Sequence, residues 1–524
     1  MNFTNEQTYE NYIKKNQETI FNKKFDNAIQ SLKKGFGNID YPVIIDNEKI
    51  YTKDKYKHTS PIDRRIVIGY VSKVTNELIN KAIESSFQTF IKWSKFDYRN
   101  RVKILKKAVN AMRERKFELA ALLTFENGKN RYEAIADIDE AIDFINYYCM
   151  EMINNNGFII TNKAKEKSEK NISVMKPYGV WGIISPFNFP AAIYVGMSIG
   201  AIITGNTAIV KPASNTPIIG FKILEIMIDS GLPPGVLNYI TGDAHTIGKI
   251  IINSNKISGI VFTGSKEVGY SIFQNSSTIK PRPIIAELGG KNPTIVTKTA
   301  DLEKASEGVS KAAFSYGGQK CSACSRVYVQ KDIKNEFIEK LISNVKKINI
   351  ENPENINSDL GPLINYDAFQ NFKKYINIAE EKGKILYGGK VLRDGDLKYG
   401  YYVMPTIVNE LSSENILLKK ELFLPFLCIK EYDKFDEAIS LCNNSEYGLT
   451  AGIYSNDKKE INDFLNNIEA GVVYINRQKS STTGALVGKQ SFGGWKSSGI
   501  SGKGTGGKYY LTQFMREQSQ TIVE

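Results

Sequence analysis

Between residues 85 and 148 apolar positions recur at helical spacing amid dense charge, as in RVKILKKAVNAMRERKFELAALLTFE (residues 101–126), which predicts amphipathic helices laid over a sheet. After them short β-rich runs alternate with helical stretches. VWGIISP precedes an apolar helix, TAIVKP precedes residues 217–230, VLNYITG precedes 245–254, and GIVFTG precedes a helix from Lys266. Strands separated in this way predict βαβ units and a parallel sheet covered on both faces. The pattern restarts at PTIVTKTADLEKA and continues through RVYVQ, the helical KNEFIEKLISNVKKI, GLTAGIYS and VVYIN. The reading is an α/β protein with two doubly wound parallel-sheet domains and a small β arm. The first domain takes residues 1–150 and 175–290, and the second takes 291–476. Residues 151–174 and 508–524 lie outside both cores, as strands that pair across subunits do, so a homo-oligomer is expected, a dimer or a multiple of dimers. Residues 477–507 form a loop returning to the first domain. No internal repeat or low-complexity tract interrupts the pattern.

Composition agrees with this size. A chain of 524 residues with 42% hydrophobic residues exceeds what one core holds. The formal charge of +13 arises from 69 Lys and Arg against 56 Asp and Glu, interleaved almost everywhere, so it describes a solvated surface and no nucleic-acid footprint. Five scattered cysteines cannot form a disulfide framework and suit a reducing cytoplasm. Cys321 and Cys324 form a C-x-x-C pair without a second pair, and only His58 and His245 are present, so no metal is expected. The polar, glutamate-bearing first 24 residues have neither signal-peptide nor transit-peptide character. Residues 190–205 are almost wholly apolar but fall short of the roughly 20 needed to span a bilayer, and three glycines break them, so a buried helix and no membrane association are expected.

Four segments carry candidate chemistry. In YGGQKCSACSR (316–326) Cys321 sits among small residues after a Gly-Gly turn, open to a carbonyl; taken alone, it reads equally as a structural cysteine. In AELGGKNP (286–293) Glu287 ends an apolar strand-like run, where desolvation would raise its pKa towards that of a general base; an ordinary strand-end glutamate is the alternative. In SPFNFP (185–190) two prolines pin Asn188, a rigid amide donor suited to an oxyanion or to capping a turn. In FTGSKEVG (262–269) a strand turns through glycine into a helix whose N-terminus would receive an anion, but without the three-glycine dinucleotide fingerprint.

In this order and at these separations the segments resemble the aldehyde dehydrogenase superfamily, from about Ala82 to Phe514. Through QKCSACSR, ENGKNRYEAIADIDEAIDFINYY and STTGALVGKQSFGGWKSSG the chain is most similar to the Δ1-pyrroline-5-carboxylate dehydrogenase branch. The resemblance implies that the first domain binds NAD(P) and the second carries the nucleophile. Cys321 would be that nucleophile, Glu287 the general base, and Asn188 with the Cys321 backbone N–H the oxyanion hole. Relatives that pass the acyl group to coenzyme A generally lack this glutamate, so its presence implies a free acid as product. Ser185 and Pro186 would face the cofactor, Lys211 and Ser214 its adenosine ribose, Gly264 and Ser265 its pyrophosphate, and Glu421 with Phe423 the nicotinamide end. NAD is expected and NADP is compatible, because Ser214 stands where NAD-preferring relatives often carry glutamate. Leu424 replaces a common glycine and questions the local loop shape.

By the same resemblance the substrate is L-glutamate γ-semialdehyde, oxidised to L-glutamate in the second step of proline degradation. Its α-carboxylate would be held by Ser322 and the backbone N–H groups of Gly484 and Ala485, with Phe189 and Phe492 flanking the aliphatic chain. A proline dehydrogenase is the candidate partner. Another semialdehyde, or a non-catalytic role for the fold, remains the alternative.

Overall fold

The computed structural model describes residues 3–478 and 484–523. Its first seven-stranded sheet runs in the order Ile284–Glu287, Ile257–Thr263, Val180–Ile184, Thr207–Lys211, Leu237–Tyr239, Val43–Ile45, Glu48–Ile50. The first five are parallel, and a hairpin from the start of the chain closes the edge antiparallel. The chain leaves the central Val180–Ile184 strand towards one side and returns on the other. Its switch point therefore lies where Val180–Ile184 meets Ile257–Thr263, and ligand crevices form outside the carboxyl ends of strands at such points. Ser185 and Gly264 follow those two strands directly.

The second sheet, also seven-stranded, runs Lys384–Tyr387, Thr406–Asn409, Phe426–Tyr432, Cys324–Gln330, Asn292–Val296, Thr450–Tyr454, Val472–Ile475. Only Lys384–Tyr387 is antiparallel. The two doubly wound sheets match the expectation, with antiparallel edges that strand patterning did not indicate.

Polar side chains cap several of the helices. Asn130 accepts from Glu133 N at 2.8 Å to open Arg131–Asn154, and Ser265 caps Lys266–Ser277. The apolar segment forms Ala192–Ile203, buried along nearly its whole length against Arg131–Asn154 and so a core helix. Among the described residues no helix is long and apolar enough to cross a membrane. The arm is a three-stranded antiparallel sheet of Ile159–Asn162, Glu169–Pro177 and Met515–Val523. Residues 508–514, read as arm from sequence, precede its strand: the Tyr510 ring stacks on Tyr148 and Phe514 packs on Trp181, anchoring them in the first core.

Candidate active site

The loop that carries Cys321 enters the strand Cys324–Gln330, which pairs with Asn292–Val296 so that Asn292 faces Cys324. AELGGKNP and QKCSACSR therefore interlock. Asn292 Nδ2 donates to the Cys321 and Ala323 carbonyls at 2.7 and 2.9 Å, and its Oδ1 accepts from Thr450 N at 3.0 Å. The Gly-Gly turn before it is required by close approach. A Cβ on Gly290 would lie 2.5 Å from the Cys321 carbonyl oxygen, and one on Gly289 would lie 2.2 Å from Glu421 Oε2.

Glu287 ends its strand, as expected, with Oε2 buried and without a hydrogen-bond partner. Burial pushes its carboxyl up to about 8, against the pull of a Gly494 backbone hydrogen bond. Glu421 accepts from Gly290 N at 3.0 Å, and burial raises it to about 7. Burial, then the Glu421 and Glu287 carboxylates, hold the Cys321 thiol well above its usual range. Cys324 is a different kind of cysteine. It is buried on the strand, with Sγ 3.2 Å from Thr294 Oγ1, and has the structural character that sequence alone left open for Cys321.

Cys321 and Glu287 share the wall of a cavity of about 1220 Å³ with Ser322, Phe189, Phe492 and Ala485. Asn188 is buried in the turn, while its neighbour Phe189 forms the wall. Gly484 adopts a left-handed backbone (φ +73°) beside the Arg477 guanidinium. Residues 481–483 of the STTGALVGKQ motif lie outside the described residues.

Of the residues assigned to a cofactor, Ser185, Lys211 and Gly264 stand at the carboxyl ends of first-sheet strands, while Glu421 and Phe423 lie in the second domain just before Phe426–Tyr432, the Phe423 ring 5.6 Å from that of Phe187. Lys211 ends its strand buried, with Nζ donating to the Pro212 carbonyl at 2.7 Å, and burial lowers its pKa to about 8. Ser214 is exposed, and its carbonyl accepts from Tyr56 OH at 3.3 Å. The Gly264 N–H is already bonded to the Glu287 carbonyl at 3.1 Å, so of the Gly264–Ser265 pair it is the Ser265-capped helix start that offers open donors. The Leu424 substitution is absorbed. Phe423 takes the left-handed backbone (φ +57°), and Leu424 is buried in the core of the second domain.

ENGKNRYEAIADIDEA (residues 126–141), which carries part of the family resemblance, packs against the SPFNFP turn. Glu126 accepts from Ile218 N and Ile219 N at 2.6 and 2.9 Å, and Asn127 donates to the Phe187 carbonyl at 2.6 Å. Lys129, buried and paired with Asp137 at 2.8 Å, lies 4.1 Å from the Phe189 ring centroid, while Asp137 also accepts from Ala192 N at 2.8 Å. Thus one segment holds the SPFNFP turn from below. Glu133 and Lys320, 3.3 Å apart, add an acid and a base to the cavity wall.

The aldehyde dehydrogenase family model matches residues 50–520. The 1-pyrroline-5-carboxylate dehydrogenase 1 of Halalkalibacterium halodurans is 37% identical over 508 residues, covering 96% of each chain. A structure of 1-pyrroline-5-carboxylate dehydrogenase from Thermus with bound NAD superposes with a TM-score of 0.93 at 33% identity, over 100% of this chain and 99% of the other. Proline utilization A from Bdellovibrio bacteriovorus does so with a TM-score of 0.93 at 31% identity, over 100% of this chain and 53% of that longer one. With a family model spanning most of its length and relatives of this identity, the chain belongs to the aldehyde dehydrogenase family.

Proposed function

We propose that the protein oxidises L-glutamate γ-semialdehyde, the open form of 1-pyrroline-5-carboxylate, to L-glutamate with NAD as oxidant, the second step of proline degradation. The observation that carries this reading is the cavity whose wall Cys321 and Glu287 share with Phe189, Phe492, Ser322 and Ala485. Two aromatic walls suit the aliphatic chain, Ser322 and the Gly484–Ala485 turn suit the α-carboxylate, and Glu133 suits the ammonium. The relatives named for this substrate, and the Thermus structure with NAD, support it.

The crevice fits a dinucleotide. The Lys266–Ser277 helix presents an exposed first turn to a pyrophosphate, Lys211 brings a buried ammonium beside the ribose position, and Glu421 stands beside Cys321 with its carboxylate held by Gly290 N. Bound NAD supplies the hydride acceptor.

Cys321 gives its thiol proton to water in the cavity, Sγ forms the bond to the aldehyde carbon as the carbonyl π bond opens, and the oxygen anion meets Asn188 Nδ2 and the Cys321 N–H. Once the thioester stands on Cys321, Glu287 takes a proton from water, which attacks the acyl carbon and releases the acid. Cys321 returns as the leaving thiolate. The exposed arm strands, bearing Ile159, Ile160, Ile522 and Val523, would pair with a second copy of the chain. A proline dehydrogenase would supply the substrate, and five free cysteines suit the cytoplasm.

The test is NADH formation with pyrroline-5-carboxylate, in separate NAD and NADP arms, repeated with Cys321→Ala. Reduction that needs both substrate and Cys321 supports the proposal. Equal kcat/KM on succinate and aminoadipate semialdehydes would remove the substrate assignment.

A further inference from the structure

We propose that Asn5 is a positioning residue of the substrate site: the amino-terminal strap fixes the turn at 485–488 against the Arg131–Asn154 helix and so sets affinity for a substrate charged at its far end. This deepens the function proposed above and rests on it.

Residues 3–8 run along that helix, held through Phe3, Asn5, Glu6 and Thr8. Asn5 Nδ2 donates to Asp143 Oδ2 and to the Val487 carbonyl, each at 2.9 Å, and so bridges helix and turn. Glu6 N donates to Asp143 Oδ1 at 2.8 Å, and Thr8 gives its N–H and hydroxyl to Asp139 at 2.7 and 2.8 Å. Lys116 Nζ gathers Glu6, Thr8 and Asp139 at 2.9, 2.7 and 2.7 Å. On the other flank the Phe3 ring packs edge-on to Tyr147 at 5.3 Å and covers Gly488. Gly488 has φ +73°, and a Cβ there would lie 2.7 Å from the Phe3 ring.

The turn is tight, with Lys489 N and Gln490 N both donating to the Leu486 carbonyl and Gly488 N to the Gly506 carbonyl. Asn5, Ala485, Leu486 and Val487 line the cavity, and the helix presents Glu133 to the same space. A substrate with a carboxylate and an ammonium must bind both walls at once, so the spacing between turn and helix is part of its recognition. Asn5 sets that spacing through two hydrogen bonds from one amide. Removing it leaves the Val487 carbonyl without this donor and deprives Asp143 of one of its two strap donors. Cys321 is held by Asn292 and Glu287 by the Gly494 backbone, hydrogen bonds that do not pass through Asn5, so the reacting end keeps its geometry when Asn5 is replaced.

The experiment compares Asn5→Ala with wild type in the full chain, at saturating NAD, on pyrroline-5-carboxylate and on propanal, which has an aldehyde and no charge. The expected result is a KM for pyrroline-5-carboxylate raised about tenfold, the size of one such hydrogen bond, with kcat and the propanal kcat/KM within about twofold. Asn5→Ser keeps one donor and should fall between; it also replaces Asn5→Ala if that variant does not fold. Equal losses on both aldehydes would assign Asn5 a merely structural role, and an unchanged KM would overturn the proposal. Wild-type turnover of propanal but not of pyrroline-5-carboxylate would instead remove the proposed substrate, and this inference with it.

Discussion

Asn292 holds Cys321 through its backbone: the side-chain amide donates to the Cys321 carbonyl at 2.7 Å while the same amide accepts from Thr450 N. Cys321, the proposed nucleophile, is thereby tied to the neighbouring strand Thr450–Tyr454. Asn292→Asp keeps the acceptor and loses both donors. Since small misplacements of a reacting group are costly, kcat should fall by roughly 10- to 100-fold in a folded protein. Steady-state kinetics with a circular-dichroism control measures this, and wild-type kcat would show that the loop is held by other contacts.

Glu287→Gln separates the two halves of the reaction. Thiol attack and hydride loss should proceed while hydrolysis stalls, giving a burst of about one NADH per active site followed by slow turnover. Stopped-flow absorbance measures the burst, and a steady rate near wild type would take Glu287 out of the mechanism.

Burial of Glu287 also gives two pH dependences. The base must be ionised to work, so kcat should rise with pH through about 8 and then level. Stability runs the opposite way. The folded carboxyl keeps its proton up to about 8 whereas the unfolded one loses it near 4.5, so its stabilising contribution is complete below 4.5 and is lost as pH climbs to 8. Glutamine has no such slope. The Tm of Glu287→Gln minus that of wild type should therefore grow by several degrees across this range, as scanning calorimetry would measure.

What sequence could show was local. Cys321, Glu287 and the SPFNFP turn each announce themselves within a few residues, because a reactive group at the end of a strand needs glycine or proline beside it. The two sheets follow from alternating strand and helix patterns of ordinary length. Long-range partners were invisible. Asn292 lies inside the motif already singled out, but its task depends on a carbonyl 29 residues away and an N–H 158 residues away. Asn5 meets Asp143 across 138 residues and Val487 across 482, and neither end carries a pattern that names the other. The Val43–Ile50 hairpin joined the first sheet through a single antiparallel pairing of Tyr239 with Ile44, which strand propensity does not specify.

The two cysteines of the C-x-x-C pair should separate cleanly. Cys321→Ala removes the nucleophile on the cavity wall and should abolish NADH formation with the fold intact. Cys324 is buried with Thr294 Oγ1 and the Arg326 carbonyl as polar contacts, so Cys324→Ala leaves a small void costing about 1 kcal/mol and most of the activity. Thermal melts and turnover on both variants decide it, and equal loss of activity would undo the choice of Cys321.

On the proposed cofactor site, the choice between NAD and NADP turns on Ser214. It is exposed after the strand that ends in Lys211, its backbone is held by Tyr56, and its hydroxyl neither chelates a ribose diol nor repels a 2′-phosphate. Ser214→Glu places a carboxylate there without disturbing the Tyr56 contact, which uses only the carbonyl. A phosphate dianion facing that carboxylate is repelled, while a ribose diol gains an acceptor, so NADP should weaken and NAD hold or improve. The expected change is a rise of about tenfold or more in the ratio of kcat/KM for NAD over NADP, measured with saturating aldehyde. An unchanged ratio would mean that the ribose end of the cofactor does not reach Ser214.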